Sequence, residues 1–351
     1  ILKKRIGLQE REQLQESVNT LEIAGVVRLV KKIVQGALGI ELLGAALLSF
    51  RFIPRFGVVK GIYYSLFHAV SAFCNGGFDL MGTEEAYSSL VAYEGDILVN
   101  LVIVALILVG GIGFIVWDDV ARNKWHFKRY LLHSKIVLTV TFLLTVIGTV
   151  LFLLTENNAA FAGMSPLEKV LGALFSAVTP RTAGFNSVDT AALSNSGKLI
   201  TMVMMFVGGS PGSTAGGVKT TSVIVLLFYA GAMVLNKEDI NLFGRRLTDE
   251  VVKKANAVVI INATLTIVAT VIIMALQPLL NFEDVLFEVL SAIGTVGMTV
   301  GITRDLDIIA RVILIVLMYC GRLGSLSFAL VFAQKNTSAP MRQPQEKIIV
   351  G

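Results

Sequence analysis

Three stretches of this chain, Ile97 to Trp117, Ile136 to Leu154 and Ala255 to Leu276, run without one charged residue. Each is close to the roughly 20 apolar residues that cross a bilayer at about 1.5 Å per residue, and water would not tolerate three such segments. Composition agrees, since 54% of the 351 residues are hydrophobic and 16% charged, where a soluble domain carries about a quarter charged. The chain reads as an all-α integral membrane protein, and disorder, collagen and coiled coil are excluded.

Three further spans are interrupted. Ile33 to Phe50 contains Glu41, Ile308 to Phe332 contains Arg311 and Arg322, and Leu199 to Leu235 is cut by a glycine-rich loop at 208–217. Six crossings are expected. Between the members of each pair lies a shorter apolar segment, Gly61 to Phe73, Pro166 to Val178 or Glu283 to Ile293. These reach about half of a 30 Å hydrocarbon core and read as re-entrant half-helices. Each opens into a small, glycine-containing turn: Ser71-Ala-Phe-Cys-Asn-Gly-Gly-Phe78, Ser176-Ala-Val-Thr-Pro-Arg-Thr-Ala-Gly-Phe185 and Ser291-Ala-Ile-Gly-Thr-Val-Gly-Met298. The shared Ser-Ala opening and the glycine near the end mark an internal repeat.

Charge sets the orientation. Residues 1–32, 118–135, 236–254 and the tail after Phe332 hold 20 of the 30 Lys and Arg, whereas Asp79 to Asp96 has five acids and no base. The basic linkers are expected in the cytoplasm, so the repeats are parallel rather than inverted. The net charge of +5 therefore concerns topology and gives no reason to invoke nucleic acid.

Irregular backbone after a half-helix survives in hydrocarbon only when it is buried in protein or lines a watery cavity. Glycine turns gathered around one axis would aim carbonyl oxygens at it, and such a ring can replace the hydration shell of a monovalent cation. The C-terminal ends of the half-helices add a negative dipole favourable to a cation. The interruption at 208–217, with five glycines and one proline in ten residues, suits neither a helix nor a lipid-facing coil.

The three turns, the loop Phe206-Val-Gly-Gly-Ser-Pro-Gly-Ser-Thr-Ala-Gly-Gly-Val-Lys-Thr220 and the segment Gly321-Arg-Leu-Gly324 resemble the Trk/Ktr/HKT superfamily of potassium transporters, in particular the membrane subunits of bacterial Ktr systems. The resemblance covers essentially the whole chain. It implies tandem parallel helix, pore-loop, helix repeats in a pseudo-fourfold, potassium-channel-like arrangement. Three of the four repeats are visible, and the sequence opens without Met on what resembles the linker after the first. We expect the first repeat to lie outside this sequence, 1–32 to be that linker, 33–117 repeat two, 136–235 repeat three, 255–333 repeat four, 118–135 and 236–254 cytoplasmic linkers and 334–351 a cytoplasmic tail.

The resemblance further implies that Gly77, Gly184 and Gly297 are filter glycines, with carbonyls of Asn75, Gly76, Thr182, Ala183, Thr295 and Val296 completing the ion sites. It makes the loop Gly208, Gly209, Ser210, Pro211, Gly212, Ser213, Thr214, Ala215, Gly216 and Gly217 an intramembrane gate touched by Arg322. The transported ion it implies is potassium, with sodium either coupled or permeating. A homodimer with one pore per subunit, surrounded by membrane lipid, is expected on a cytoplasmic RCK-type regulatory ring. Nucleotide is expected on that partner, and no cofactor in this chain.

Arg322 lies mid-span, where an unpaired charge is costly and must face protein or water. Arg311 is nearer a helix end and is expected to snorkel. Lys219 either neighbours the gating loop or faces the cytoplasm. Glu41 pairs with a base, binds a coupling ion or marks a helix contact around Gly36, Gly39 and Gly44. His68 reads as packed, and Cys74 and Cys320, without metal-ligand spacing, as packing residues. Gly212 to Thr220 nearly matches a phosphate-binding loop, but Val218 breaks the spacing and no strand precedes it. A broken-helix secondary transporter for another monovalent cation is the alternative reading. With His126 and His133 in a linker and no hydrolase pattern, catalysis is not expected.

Overall fold

The structure, a computed structural model, describes residues 26–83, 87–237 and 239–323. Most of the expected first linker, the tail and Gly324 fall outside the described residues. Within them the chain repeats one plan three times: a long helix, a short helix ending in a turn, and a second helix.

In the first unit α1 (Val26–Phe56) folds back through Gly57 onto α2 (Val58–Phe73). Gly57 takes the left-handed φ of +81° that the reversal requires, and a Cβ at Gly61 would lie 2.6 Å from the Ile53 Cα, so the two backbones touch. The short helix thus starts three residues earlier than its apolar pattern suggests. An aromatic cluster closes the contact, with Phe52 5.4 Å from His68 and 5.3 Å from Tyr93 between ring centres. The second helix, α3 (Ile97–Gly111), begins where the Asp96 carboxylate accepts from Leu98 and Val99 amides at 2.9 and 3.1 Å. Such a cap satisfies donors that a helix start leaves free.

The uninterrupted crossing expected over Ile97 to Trp117 is not one helix. It bends by 96° into α4 (Phe114–Asn123). Gly113 adopts φ +95°, and the Phe114 amide, freed by the break, donates to Gly212 O at 2.8 Å. The bend therefore places the chain against the glycine-rich loop rather than continuing through lipid.

The second unit runs α5 (Leu132–Glu156), α6 (Pro166–Val178), α7 (Asn195–Phe206) and α8 (Thr220–Val234). Its half-helix starts with a full capping box, Ser165 and Glu168 reciprocally bonded, and Pro166 in the first turn where its missing N–H costs nothing. The Glu156 carboxylate, wholly buried, accepts the Ser194 amide at 3.0 Å and the Ser194 hydroxyl, joining the end of α5 to the start of α7. A two-residue hairpin, β1 (Asn241–Leu242) against β2 (Arg245–Arg246), turns through Phe243 and Gly244, both at positive φ. This is the twist-matched hairpin turn, and it qualifies the all-α expectation within the linker. The third unit comprises α9 (Asp249–Leu276), α10 (Phe282–Ile293) and α11 (Ile308–Leu323).

Among the described residues three helices are long and apolar enough to cross a membrane, Val30–Phe56, Leu132–Glu156 and Asp249–Leu276, and the bent pair is a fourth candidate. All three are the first helices of their units. The second helices of the first two units are bent or broken at glycine, so the six expected crossings are not six continuous rods. Leu42, Leu43, Phe50, Phe142, Leu154, Ile267, Val271 and Ile315 lie exposed along the outer faces, where lipid rather than water is the natural solvent for such side chains.

Adjacent units interlock in sequence order. Helix α3 packs on α6, and α7 packs on α10, so each second helix supports the next half-helix. Lys198 of α7 reaches Asp284 of α10 at 2.9 Å. Within units one and three the second helix comes closest at a glycine: a Cβ at Gly110 would collide with Phe73 O, and one at Gly321 with Ile293 O.

This contact makes a prediction about packing. Gly110→Ala should destabilise the folded protein by about 1–3 kcal/mol, the usual penalty for overfilling a close contact. Gly231→Ala, with nothing within 4 Å of its Cβ, should be neutral or slightly stabilising. Thermal unfolding in detergent would compare them.

Candidate ion-conduction site

Each half-helix points its C-terminal end at a turn, and the three turns share one backbone pattern. Asn75 and Gly77 have φ of +51° and +69°, Thr182 and Gly184 +75° and +84°, and Thr295 and Gly297 +54° and +86°, while the residue between each pair stays at negative φ. Alternation of this kind turns successive carbonyls toward the same side, where a strand would alternate them. Positive φ is easy for glycine but a true outlier for β-branched Thr, costing about 1–3 kcal/mol where surroundings enforce it.

The turns converge. A Cβ at Gly77 would overlap Ala183 O, and one at Gly184 would overlap Val296 O. The Asn75 side chain donates to Thr182 Oγ1 at 3.3 Å. The succession runs from the first turn to the second to the third, and a Cβ at Gly297 would meet nothing within 4 Å. Asn75, Gly77, Thr182, Ala183, Gly184 and Val296 are thus brought to one locus, with Gly76 and Thr295 adjacent in the chain and Gly297 at its open side.

What supports the strained turns was only partly visible in the sequence. Ser291 Oγ donates to Met298 O at 2.6 Å, and Thr179 Oγ1 donates to Phe185 O at 2.6 Å, so a hydroxyl on the half-helix side grips the residue after the glycine. The Ser-Ala opening hinted at this, yet in the middle turn Ser176 stands eight residues before its glycine rather than six, and Thr179 takes the task. Nine residues before Gly77 and Gly297 stand His68 and Glu288. His68 Nε2 accepts the Leu80 amide at 3.4 Å while Nδ1 bonds Tyr64 O at 2.7 Å, which makes Nδ1 the protonated nitrogen. Glu288 accepts from Thr303 Oγ1 at 2.8 Å and from Thr299 Oγ1. Glu288 was missed because an acid in an apolar half-helix reads as a surface residue until its partners are known.

The loop at 208–217 lies against the half-helix ends and the turns that follow them. Thr214 Oγ1 donates to Phe73 O at 3.1 Å, a Cβ at Gly216 would collide with Thr295 Oγ1, and Gly217 approaches Gly294. Its backbone partners come from outside the loop: Ser210 N donates to Gly111 O at 3.1 Å, Thr214 N to Gly110 O at 3.4 Å and Gly217 N to Gly321 O at 3.2 Å, while Gly212 O accepts from Phe114. Val207 and Val218 pair as a parallel bridge at its base. Ser213 Oγ caps Ser210 O at 2.6 Å and accepts from Ala215 N at 3.2 Å. Gly208 and Gly209 leave room for that pairing, a Cβ at Gly208 standing 2.7 Å from Gly216 O, and the Pro211 carbonyl abuts Gly113.

Arg322 reaches across from α11 and donates to Thr214 O. Lys219 Nζ donates to Ala215 O at 2.8 Å, so of the two positions open for it the structure has the one beside the loop. Glu41, 9% exposed, accepts from Cys74 Sγ at 3.8 Å. Cys74 is exposed beside the first turn rather than packed, which corrects its sequence reading, while Cys320 is buried. The glycines near Glu41 divide: Gly36 meets Trp117 and Gly44 meets Leu106, whereas Gly39 meets nothing within 4 Å. Arg311 is exposed at the start of α11 and holds Arg304 O at 2.7 Å.

Half-length helices, strained glycine turns gathered at their tips and an apolar exterior together define a polytopic membrane transporter. The family model described as TrkH, cation transport protein, matches residues 1–342, and the chain belongs to that family. It is 40% identical to the potassium/sodium uptake protein NtpJ of Enterococcus hirae over all of this chain and 78% of that protein. It is 38% identical to the Ktr system potassium uptake protein B of Bacillus subtilis, again over all of this chain and 78% of the relative. The crystal structure of the potassium transporter TrkH from Vibrio parahaemolyticus superposes with a TM-score of 0.74 at 17% identity, covering 92% of this chain and 70% of that one. These relatives are cation transporters rather than enzymes.

The anchoring acid is open to a direct check. Glu288→Ala removes the carboxylate that accepts from Thr299 and Thr303, two part-buried hydroxyls that keep only their bond to each other and the Gly301 amide, and a hydrogen bond to a charged group is worth about 1.5–3 kcal/mol. A lowered unfolding temperature in detergent is expected, and an unchanged one would show that the carboxylate carries no structural weight.

Proposed function

We propose that this chain conducts potassium inward across the bacterial cell membrane as the membrane subunit of a Ktr-type uptake system. The observation that carries the reading is the register of the three turns: the same left-handed alternation and the same glycine, each but the last seated against a carbonyl of the next. Oxygens so aligned replace the water around a dehydrated monovalent cation. A fourth turn of the same kind, between Gly297 and Gly77, would close the ring as a pseudo-fourfold pore, and the open side of Gly297 supports that arrangement.

In this reading Asn75, Gly76, Gly77, Thr182, Ala183, Gly184, Thr295, Val296 and Gly297 form the filter. Ions leave it onto the loop at 208–217, which acts as the gate. Arg322 latches that loop through Thr214 O, and its charge stands where a leaving cation must pass. Opening then requires the loop to exchange its bonds to Gly110, Gly111 and Gly321, a set of backbone contacts weak enough individually to yield. Flow follows the electrochemical gradient, with the basic linkers in the cytoplasm. The names of the relatives support potassium as cargo, with sodium in one of them, and a Ktr system implies a separate regulatory subunit. Dimerisation and an RCK-type nucleotide-binding ring are the corresponding assembly.

Rubidium uptake into proteoliposomes containing the complete protein tests the gate. Removing residues 211–213, or replacing Arg322 by Ala, should raise flux several-fold by releasing the latch. Flux equal to the parent in both variants would remove the loop from the mechanism.

A further inference from the structure

The three turns are not braced alike. In the first and third units a polar residue nine positions before the glycine, His68 or Glu288, holds the chain beyond the turn. Nine positions before Gly184 stands Phe175, and three before the Ser-Ala pair stands Ala173; both are buried and neither has a polar atom with which to do so. That unit instead carries two more residues between its Ser-Ala and its glycine than the others, and Pro180-Arg181 falls within the longer stretch.

Arg181 directly precedes Thr182, whose φ of +75° is the largest positive value among the described non-glycine residues of the three turns. Its guanidinium is buried, at 7% exposure, and donates from Nη2 to Thr145 Oγ1 on α5 at 2.8 Å. Thr145 Oγ1 spends its own proton on Thr141 O at 2.8 Å, so its lone pairs remain free to accept. Arg181 Nε has no partner, and no ion pair to Arg181 occurs among the described residues. The side chain borders a small cavity of about 20 Å³ shared with Gly111 of α3, Thr141 of α5 and Gly209, Ser210 and Thr220 around the gating loop, space for a single water.

A buried arginine without a carboxylate is costly within a membrane and is kept where its position matters. We infer that Arg181 is a positioning residue for ion selectivity: bound to Thr145, it holds the middle turn in the left-handed conformation that directs the Thr182 and Ala183 carbonyls, in place of the anchor that Phe175 cannot supply. The inference rests on the reading of these turns as a filter. Without the brace, Thr182 relaxes toward negative φ, its carbonyl rotates away, and the site loses its preference for the larger ion.

The test compares Arg181→Gln, Arg181→Lys, Thr145→Val and Gly184→Ser in the full-length protein, measuring membrane abundance, the KM for rubidium uptake and its competition by sodium. Arg181→Gln and Thr145→Val should lower the potassium-to-sodium preference about tenfold, the factor matching the lower end of a hydrogen bond to a charged group. Arg181→Lys, which keeps a donor for Thr145, should recover part of it. A purely structural role would reduce protein abundance and leave the preference unchanged. If Arg181→Gln fails to accumulate, Thr145→Val decides, because it removes only the acceptor. Parental preference in both, alongside its loss in Gly184→Ser, would overturn the role of Arg181 alone. Parental preference in Gly184→Ser as well would overturn the filter reading from which the role follows.

Discussion

A helix that stops halfway through hydrocarbon leaves its last carbonyls and the backbone after it without partners, and lipid offers none. The rest of this structure answers that deficit. Second helices come up against the half-helix ends at Gly110 and Gly321, where only hydrogen fits against Phe73 O and Ile293 O. The glycine-rich loop brings Thr214 Oγ1 to Phe73 O. Outer segments are held by His68 and Glu288, and the middle turn by Thr179 and Arg181. In the proposed reading, the carbonyls of the three turns are the ones left for a desolvated cation.

The loop obeys the same rule in a weaker form. Four of its backbone groups pair with α3, α4 and α11, and Ser213 Oγ bridges Ser210 O and Ala215 N within it, so it is satisfied without a helical hydrogen-bond ladder of its own. A helix in its place would be bound internally and could yield only by unfolding. Backbone bonds lent by three different elements can be exchanged a few at a time, which is what the proposed gating role asks of the loop. Arg322 and Lys219 add charge-assisted bonds to Thr214 and Ala215 carbonyls, concentrating positive charge just beneath the turns.

Much of this was legible before any coordinates. The half-helix Pro166–Val178 has the bounds its apolar run suggests, and Phe282–Ile293 differs from expectation by one residue. The break after α3 was not legible, because Gly110, Gly111 and Gly113 suit either close packing or a bend, and the choice depends on Gly212 being there to receive the Phe114 amide. Glu288 and Arg181 escaped notice for a related reason. A charged residue in a short helix or turn looks solvated in a sequence, and only its hydroxyl partners, 15 residues away at Thr303 and 36 away at Thr145, reveal it as buried. The one sequence signal for Arg181 was the two-residue excess before Gly184.

By itself, the sequence determined that the chain lives in lipid, that it repeats, where its half-helices end and which glycines turn there. These follow from local quantities: runs of apolar residues, their length against the membrane, and the conformational freedom of glycine. Only the tertiary structure decided that Gly77 meets Ala183, that Gly184 meets Val296, that the loop lies beneath the turns, and that one arginine braces the middle turn from behind. Those contacts join residues from 36 to 141 positions apart, and they are set by which helices pack together, a choice that no local pattern encodes.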